Sequence, residues 1–397
     1  MSASAQSAGT DTSSNASPPT TGGPLLLKEG VYAVGALDGD LAEFDEALTP
    51  FGTTYNAYLV VDEQITLIDF VRGVFAETLL SNIRAVIGDR AIDHIIVNHT
   101  EPDHSGAMPM VAAAYPDARL YGTANCQKAL AAYYPDAVYD FTVVGAGDTL
   151  NTGSLTFEFI PMPMVHWPDS MATYLPARQI LFSNDALGQH IGSGERLDTD
   201  LELEKLMACA QDYYANIVMP FGMQVSKLLG QAAELDVDMV CPSHGVVLTR
   251  FIPEMVAAYT RWASGETNGH RVTIVYDSMW GSTEQIAEKL RVKYEADKHH
   301  VEVFDLAEVH FSVVISALLE SRYILVGSST RYNQMLPTVA GFLTYLTGLK
   351  PKNRIGQAFG CYGWSGESIS QINDALAGAG FEMLEPIKAL YHLNDEV

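Results

Sequence analysis

The segment 99–106 constrains the fold more than any other part of the chain. It holds four side chains that can bind a metal, directly after the apolar run 95–97. These side chains are His99, Glu101, Asp103 and His104. A short β-branched run bounded by polar residues is typical of a buried strand, and Pro102 and Gly106 oppose its continuation. The segment therefore predicts a loop at the carboxyl end of a strand, although a solvated polar loop would have a similar composition.

Three further candidates follow predicted strands in the same way. They are His166 after the segment 155–162, Asp185 after 179–184 and His244 after 239–243. A single His or Asp in such a position is more often a capping or core residue. Because the arrangement recurs four times, one shared metal site at the strand ends is the better interpretation.

The pattern His-x-Glu-x-Asp-His, followed by His, Asp and His, resembles the metallo-β-lactamase-like domain of flavodiiron proteins. Hydrolases of that superfamily have a second His where this chain has Glu101, and they usually bind zinc. A mixed carboxylate and imidazole site suits iron better. The resemblance covers nearly all of the chain beyond the first two dozen residues, and it includes HWPDSM (166–171), YYANIV (213–218), YDSMWGST (276–283) and GWSGES (363–368).

Length and composition limit the remaining choices. A chain of 397 residues exceeds one usual core, so two domains are expected. The net charge of -25 opposes nucleic acid or an anionic membrane as a partner, and no apolar run approaches the length of a bilayer span. Residues 1–23 are predicted to be a disordered tail without a signal peptide. Four scattered cysteines favour reduced thiols and a cytoplasmic location.

The first domain is predicted to be an αββα sandwich over residues 24–266. Successive strands are expected at 30–35, 58–61 and 66–69, followed by a helix at 78–87 that precedes the metal loop. The polar, glycine-punctuated segment 264–269 marks a boundary, and another pattern begins after it.

The second domain, residues 267–397, is predicted to be a doubly wound parallel sheet. A buried strand at 271–277 leads through hydroxyl residues into a helix, which is typical of an anion site but also of an ordinary N-cap. Two more strand-end loops follow at 328–333 and 361–366, and Trp364 on the last of them suits stacking on a flat heterocycle.

These three loops resemble the phosphate and isoalloxazine loops of flavodoxin, which implies FMN as a cofactor. The expected FMN contacts are Ser278, Met279, Trp280, Ser282, Thr283, Thr330, Asn333, Tyr362, Gly363, Trp364 and Gly366. The chain departs from related sequences at Ser329, where they usually have Pro, and at Gln334, where they often have Gly. We also expect the final helix of a flavodoxin domain to be missing after the last strand, 387–391, which would leave apolar surface exposed.

The resemblance implies a division of the metal ligands. His99, Glu101 and His166 would hold one iron, Asp103, His104 and His244 the other, and Asp185 would bridge them. An anionic bridge offsets the repulsion of two nearby cations, and three ligands per metal leave positions open for reaction. His104 could instead act beside the metal without binding it. Tyr55 and Trp167 are candidate pocket neighbours, or simply core aromatics.

A flavin and two irons can store four electrons, the number that reduces dioxygen to two waters. Reduction of two nitric oxide molecules to nitrous oxide needs two electrons. The resemblance implies both reactions, and we predict oxygen reduction, with nitric oxide reduction as the alternative.

Electrons would come from a rubredoxin-like or other separate donor, and each flavin would serve the partner's irons in a head-to-tail homodimer or a dimer of dimers. A basic cluster, Lys350, Lys352 and Arg354, is either a docking patch for an acidic donor or a solvated turn.

Two rival functions remain open. The first is a dizinc hydrolase in which a metal-bound hydroxide attacks a carbonyl group. Glu101 and the flavin-type loops count against it. The second is an electron carrier or redox sensor with a degenerate metal pocket, and the complete set of expected ligands counts against that.

Overall fold

The computed structural model describes residues 22–392. The predicted disordered tail therefore lies almost wholly outside the described residues. Within that range, none of the helices combines the length and the apolar character needed to cross a bilayer.

The first part of the chain forms two sheets with helices outside them. Its strands are β1 (Leu25–Lys28), β2 (Val31–Ala33), β3 (Ala36–Asp38), β4 (Glu43–Phe44), β5 (Ala47–Leu48), β6 (Thr53–Tyr55), β7 (Tyr58–Val61), β8 (Ile65–Ile68), β9 (His94–Ile96), β10 (Arg119–Gly122), β11 (Asp140–Val143), β12 (Thr149–Asn151), β13 (Thr156–Pro161), β14 (Met171–Leu175), β15 (Ile180–Asn184) and β16 (Met239–Pro242). Its helices are α1 (Ala76–Ile87), α2 (Pro102–Ser105), α3 (Met108–Ala114), α4 (Ala124–Tyr133), α5 (Leu203–Tyr213), α6 (Gly222–Ala232) and α7 (Ile252–Ser264).

These elements form four layers, as expected for an αββα sandwich. One sheet has the order β1-β2-β7-β8-β9-β10-β11, and the other has β12-β13-β14-β15-β16. Side chains such as Val60, Phe157 and Phe182 fill the space between the sheets. Helices α1, α3 and α4 pack on the outer face of the first sheet, and α5 and α7 pack on that of the second. All four residues of β8 are buried, because both faces of this strand are covered.

The second part is a doubly wound parallel sheet. Its strands are β17 (Asn268–Asp277), β18 (His300–Asp305), β19 (Ser321–Ser328), β20 (Ile355–Tyr362), β21 (Glu382–Met383) and β22 (Ile387–Leu390), and its helices are α8 (Ser282–Ala296), α9 (Phe311–Leu318), α10 (Pro337–Leu349) and α11 (Glu367–Gly378). The order is β18-β17-β19-β20-β21, with β22 also paired to β20, and all pairs are parallel. Helix α8 packs on one face, and α9, α10 and α11 pack on the other. No helix follows β22 within the described residues.

The two parts of the chain share one apolar core and a polar contact. Buried side chains of α5 and α7 belong to the same cluster as those of α9 and α10. The Asn216 side chain accepts a hydrogen bond from Tyr345 Oη at 3.0 Å and donates one to the Ser312 carbonyl at 3.4 Å. The Gln211 amide donates to the Ser316 carbonyl at 2.8 Å. These contacts fix the orientation of the second domain on the first.

The interpretation of three residues as one basic docking patch is wrong. Lys350 and Lys352 are exposed, but Arg354 is only 3% exposed. Its guanidinium donates hydrogen bonds to the carbonyl oxygens of Leu319 and Lys352, both at 2.5 Å. Arg354 therefore holds the turn before β20 together instead of presenting a charge to a partner.

Candidate metal centre and flavin site

Four strands deliver the predicted metal ligands to one edge of the sandwich. β9 leads to the segment that begins at His99, and β13, β15 and β16 lead to His166, Asp185 and His244. Because β8, β9 and β10 are parallel to one another and β15 is parallel to β16, their carboxyl ends meet at the same edge. The short helix α2 turns the chain sharply after Glu101, so that Asp103 and His104 face the same point.

The seven predicted ligands lie together as two groups of three with one carboxylate between them. In the first group, the Nε2 atoms of His99 and His166 each lie 3.2 Å from Glu101 Oε2. In the second, the Nε2 atoms of His104 and His244 lie 3.2 and 3.1 Å from Asp103 Oδ2. Within each group the ligand atoms lie within 4.8 Å of one another.

Asp185 faces both groups with different oxygen atoms. Its Oδ2 lies 3.6 Å from His99 Nε2 and 3.5 Å from His166 Nε2. Its Oδ1 lies 3.1 Å from His104 Nε2 and 3.7 Å from His244 Nε2. This is the position that a carboxylate bridging two metals requires.

The side chains fit metal ions better than they fit one another. Both carboxylate oxygens of Asp103 and of Asp185 are buried, yet they accept no hydrogen bond within the described residues. Leaving such oxygens without a partner is costly, and cations at the centres of the two groups would satisfy them. The donor set of imidazole nitrogens and carboxylate oxygens is one that binds iron.

The imidazoles and carboxylates of the site shift one another's pKa values toward their charged forms. Burial by itself would raise the pKa of Glu101, but His166 and His99 outweigh it and lower this pKa to about 2. Burial opposes charge on His104, but Asp103 and Asp185 raise its pKa to about 9. The pKa of Asp185 is held well below its usual value, because the neighbouring imidazoles outweigh its burial. Metal ions would replace the imidazole protons and keep the carboxylates ionised.

Two hydrogen bonds that the sequence did not predict orient the ligands. Asp169 Oδ2 lies 3.0 Å from His99 Nδ1 and accepts hydrogen bonds from the Thr100 amide and hydroxyl, both at 2.8 Å. His244 Nδ1 donates to the Thr54 carbonyl at 2.7 Å. Both contacts leave Nε2 of the histidine free for a metal. Asp169 belongs to the HWPDSM segment, which was the available signal in the sequence.

Aromatic rings surround the ligands. Trp167 lies 5.3 Å from the His99 ring, and Tyr55 lies 6.0 Å from the His244 ring, so both expected neighbours are close to the site. Phe44 and His190, which were not predicted, lie 5.4 and 5.5 Å from the His244 ring.

A cavity of about 310 Å³ connects solvent to the two groups. Its lining includes Phe44, Asp45, Arg72, Glu101 and Asp103. Phe44 and Asp45 belong to the hairpin of β4 and β5, whose two turn residues have positive φ, as a tight two-residue turn requires. Burial, followed by the charges of Glu101 and Asp103, raises the pKa of Asp45 to about 6.

The second site is a cavity of about 540 Å³ at the carboxyl ends of β17, β19 and β20. The predicted residues that line it are Met279, Trp280, Ser282, Thr330, Tyr362, Gly363 and Trp364. It is also lined by Ser329, Arg331, Tyr332, Cys361, Tyr391 and His392, which were not predicted. Ser278, Thr283, Asn333 and Gly366 are outside its lining.

Polar groups lie beside this cavity, and aromatic side chains form its rim. Ser278 Oγ is buried without a hydrogen-bond partner, and α8 begins nearby with an N-cap, Gly281, that offers no side-chain bond. These groups suit a phosphate. Trp280 and Trp364 are 89% and 82% exposed, so their rings are available to a flat heterocycle. The residues present therefore fit FMN.

Comparisons with known proteins agree with this geometry. The family model described as ODP family beta lactamase matches residues 53–245, and the flavodoxin model matches residues 274–395. The chain is 37% identical over 366 residues to the rubredoxin-oxygen oxidoreductase of Megalodesulfovibrio gigas, and the match covers 91% of each chain. The chain belongs to the flavodiiron protein family.

Other relatives extend the flavodiiron assignment. The nitric oxide reductase of Moorella thermoacetica is 38% identical over 365 residues, again with 91% of each chain covered. The crystal structure of the flavodiiron protein from Giardia intestinalis has a TM-score of 0.91 at 30% identity, covering 95% of this chain and 94% of that one. The predicted fold class, family and cofactors, FMN and two irons, are confirmed.

Proposed function

We propose that this flavodiiron protein reduces dioxygen to water with four electrons, for oxygen detoxification. Nitric oxide reduction to nitrous oxide is the second candidate, because relatives named for each reaction are about equally similar to the chain. The observation that carries the proposal is Asp185, which faces two ligand groups in a chain that also contains a flavin-type cavity. A hydrolase would have no use for the second site.

The chain's own residues give the metal centre its geometry. His99, Glu101 and His166 would hold one iron, Asp103, His104 and His244 the other, and Asp185 would join them. When bound, the irons and FMN supply the electrons that the gas requires. The carboxylates of Glu101, Asp103 and Asp185 supply negative charge that would offset the positive charge of the metal ions. The aromatic rings around the site shield it from water except at the cavity lined by Phe44 and Asp45.

We infer that electrons pass between two copies of the chain. The shared core and the Asn216 contacts hold the two domains of one chain in a fixed orientation. Trp280 and Trp364 nevertheless remain almost fully exposed, so the flavin rim does not face the metal domain of its own chain. A head-to-tail homodimer, alone or paired into a dimer of dimers, would place each rim against the partner's metal site.

We assign residues 24–266 to the diiron domain and 267–397 to the FMN domain. A separate rubredoxin-like protein would donate electrons to the FMN. We place the protein in the cytoplasm, since Cys126, Cys209, Cys241 and Cys361 are all free and buried.

The deciding experiment is anaerobic stopped-flow mixing of the reduced protein with dioxygen and, separately, with nitric oxide. Metal and flavin are quantified on the same sample. We expect two irons and one FMN per chain and faster oxidation by dioxygen. Faster oxidation by nitric oxide would select the second candidate, and inertness to both gases in a colourless, zinc-containing protein would select a hydrolase.

A further inference from the structure

Four buried aromatic side chains lead from the metal centre to the boundary between the two domains. The Tyr213 ring lies 6.0 Å from the ring of the ligand His244, and Tyr214 follows directly in the chain. The Tyr214 ring lies 5.0 Å from that of Tyr259 and 5.3 Å from that of Trp262, and the last two rings are 5.6 Å apart. The two tyrosines at 213 and 214 begin the YYANIV segment, which supplies none of the seven ligands and does not line the flavin cavity.

Packing alone does not explain the hydroxyl group of Tyr214. Its Oη is buried and makes no hydrogen bond within the described residues. A phenylalanine would fill the same space without the cost of an unpaired hydroxyl. A phenol gives up an electron far more readily than a phenyl ring, so the hydroxyl favours a role in electron transfer. An oxidised phenol is stabilised by releasing its proton, and because Tyr214 has no acceptor for a proton, the electron vacancy passes on to a neighbouring ring.

Trp262 has the proton acceptor that Tyr214 lacks. Its Nε1 donates a hydrogen bond to Glu320 Oε1 at 3.3 Å, and the other oxygen of Glu320 lies 3.3 Å from the Arg271 guanidinium, which holds the carboxylate in place. An indole that has lost one electron is a strong acid, so its proton can pass to Glu320 while a neutral radical remains on the ring. A cavity of about 250 Å³ lies beside both residues and is also lined by the exposed residues Glu266 and Asn268. A small molecule can therefore reach Trp262 from solvent.

We propose that Tyr213, Tyr214, Tyr259 and Trp262 form a relay that supplies one electron to the metal centre when the metals and the flavin together lack one. Reduction of dioxygen to two waters consumes four electrons and four protons. When the cofactors hold only three electrons, Trp262 gives the fourth through the tyrosines, and its indole proton passes to Glu320. A small thiol in the cavity then returns an electron and a proton to the indole, and two thiols oxidised in this way combine as a disulfide. The relay rests on the proposed function for its natural oxidant.

The test uses hydrogen peroxide as the probe, so that it does not depend on the preferred gas. The full-length protein with FMN and metals receives one electron per chain from dithionite and is then mixed with one equivalent of peroxide. Reduction of peroxide to two waters needs two electrons, so the second must come from a side chain. Electron paramagnetic resonance of the freeze-quenched sample, with ring-deuterated tryptophan, separates tryptophan from tyrosine radicals.

We expect a tryptophan radical in the wild type and its loss in Trp262→Phe. Trp167→Phe is the matched control, because the Trp167 ring is also close to a ligand, 5.3 Å from that of His99. This variant should keep the signal. A wild-type signal in Trp262→Phe, or a signal that disappears only in Trp167→Phe, would overturn the proposal.

A second variant covers the case in which Trp262→Phe fails to fold or to load metal. Glu320→Gln keeps the shape of the side chain but removes the carboxylate that accepts the indole proton. The radical should then show the spectrum of the protonated form and decay faster, whereas 2-mercaptoethanol should accelerate its decay in the wild type. An unchanged spectrum and lifetime in Glu320→Gln, or a wild-type decay that is independent of the thiol, would contradict the relay. Absence of any radical in the metal-loaded wild type would exclude the relay and leave the proposed function intact.

Discussion

Asp169 should control the first metal position selectively. One of its oxygens receives the Thr100 amide and hydroxyl at 2.8 Å and faces His99 Nδ1 at 3.0 Å. Asp169→Asn removes the charge that strengthens these three contacts. Loss of such a partner typically weakens metal binding 10- to 100-fold, or about 1.4 to 2.8 kcal/mol. The second metal should be retained, because Asp103, His104 and His244 make no hydrogen bond to Asp169 within the described residues.

The assay is equilibrium dialysis of the metal-loaded protein against increasing chelator, followed by elemental analysis. Asp169→Asn should lose its first metal at 10- to 100-fold lower chelator activity and the second at the wild-type value. Asp140→Asn is the matched control, because Asp140 is an exposed carboxylate paired with Arg119 at 2.8 Å. A wild-type curve for Asp169→Asn, or equal loss of both metals from a folded protein, would refute the reasoning.

Three further predictions concern the flavin, the donor and the metal-free protein. Trp364→Ala should weaken FMN binding several-fold through loss of ring contact, measured by flavin fluorescence, and undiminished affinity would contradict a stacking role. The double variant Lys350→Glu, Lys352→Glu should leave the rate of FMN reduction by the donor unchanged. The reason is that the length of β20, roughly 20 Å, separates these residues from the flavin cavity. A slower rate in stopped flow would restore the docking patch. Metal binding at pH 7.5 should release protons, because the His104 pKa is about 9 in the metal-free protein. Calorimetry in two buffers measures this release. It should be smaller at pH 10, where His104 has already lost its proton.

The sign of the last effect also predicts a stability profile. The His104 pKa is raised from 6.5 in the unfolded chain to about 9 in the metal-free folded protein. The ion pairs of His104 therefore contribute fully to the free energy of unfolding below about pH 6.5. This contribution is lost as the pH rises through 9. The metal-free protein should become less stable over that window, as measured by urea unfolding, and a flat profile would contradict the assignment.

Much of the fold could be predicted because its signals are local. The predicted helix at 78–87 corresponds to α1, Ala76–Ile87, and the predicted strand at 271–277 lies within β17. Apolar periodicity and turn residues are properties of neighbouring positions, so one sequence is sufficient to detect them.

The same local signals predicted the metal ligands but only part of the lining of the flavin cavity. Seven candidate ligands at strand ends were recognisable, and the structure places them together. Tyr391 and His392 line the flavin cavity, although they occur in no recognisable motif. They reach it because β22 pairs with β20, which is a consequence of sheet order.

By itself, the sequence determined the chemistry available to this protein: carboxylate and imidazole donors with Glu101 in place of a histidine, and hydroxyl and aromatic loops for a flavin. Tertiary structure alone decided which groups tune that chemistry. Asp169 reaches His99 across 70 positions of sequence, and the Thr54 carbonyl reaches His244 across 190. Arg354, which its charge suggested as part of a docking patch, is buried and donates hydrogen bonds to backbone carbonyls. The physical reason is that hydrogen-bond partners and burial depend on how distant segments close around one another, whereas donor type is fixed by the residue itself.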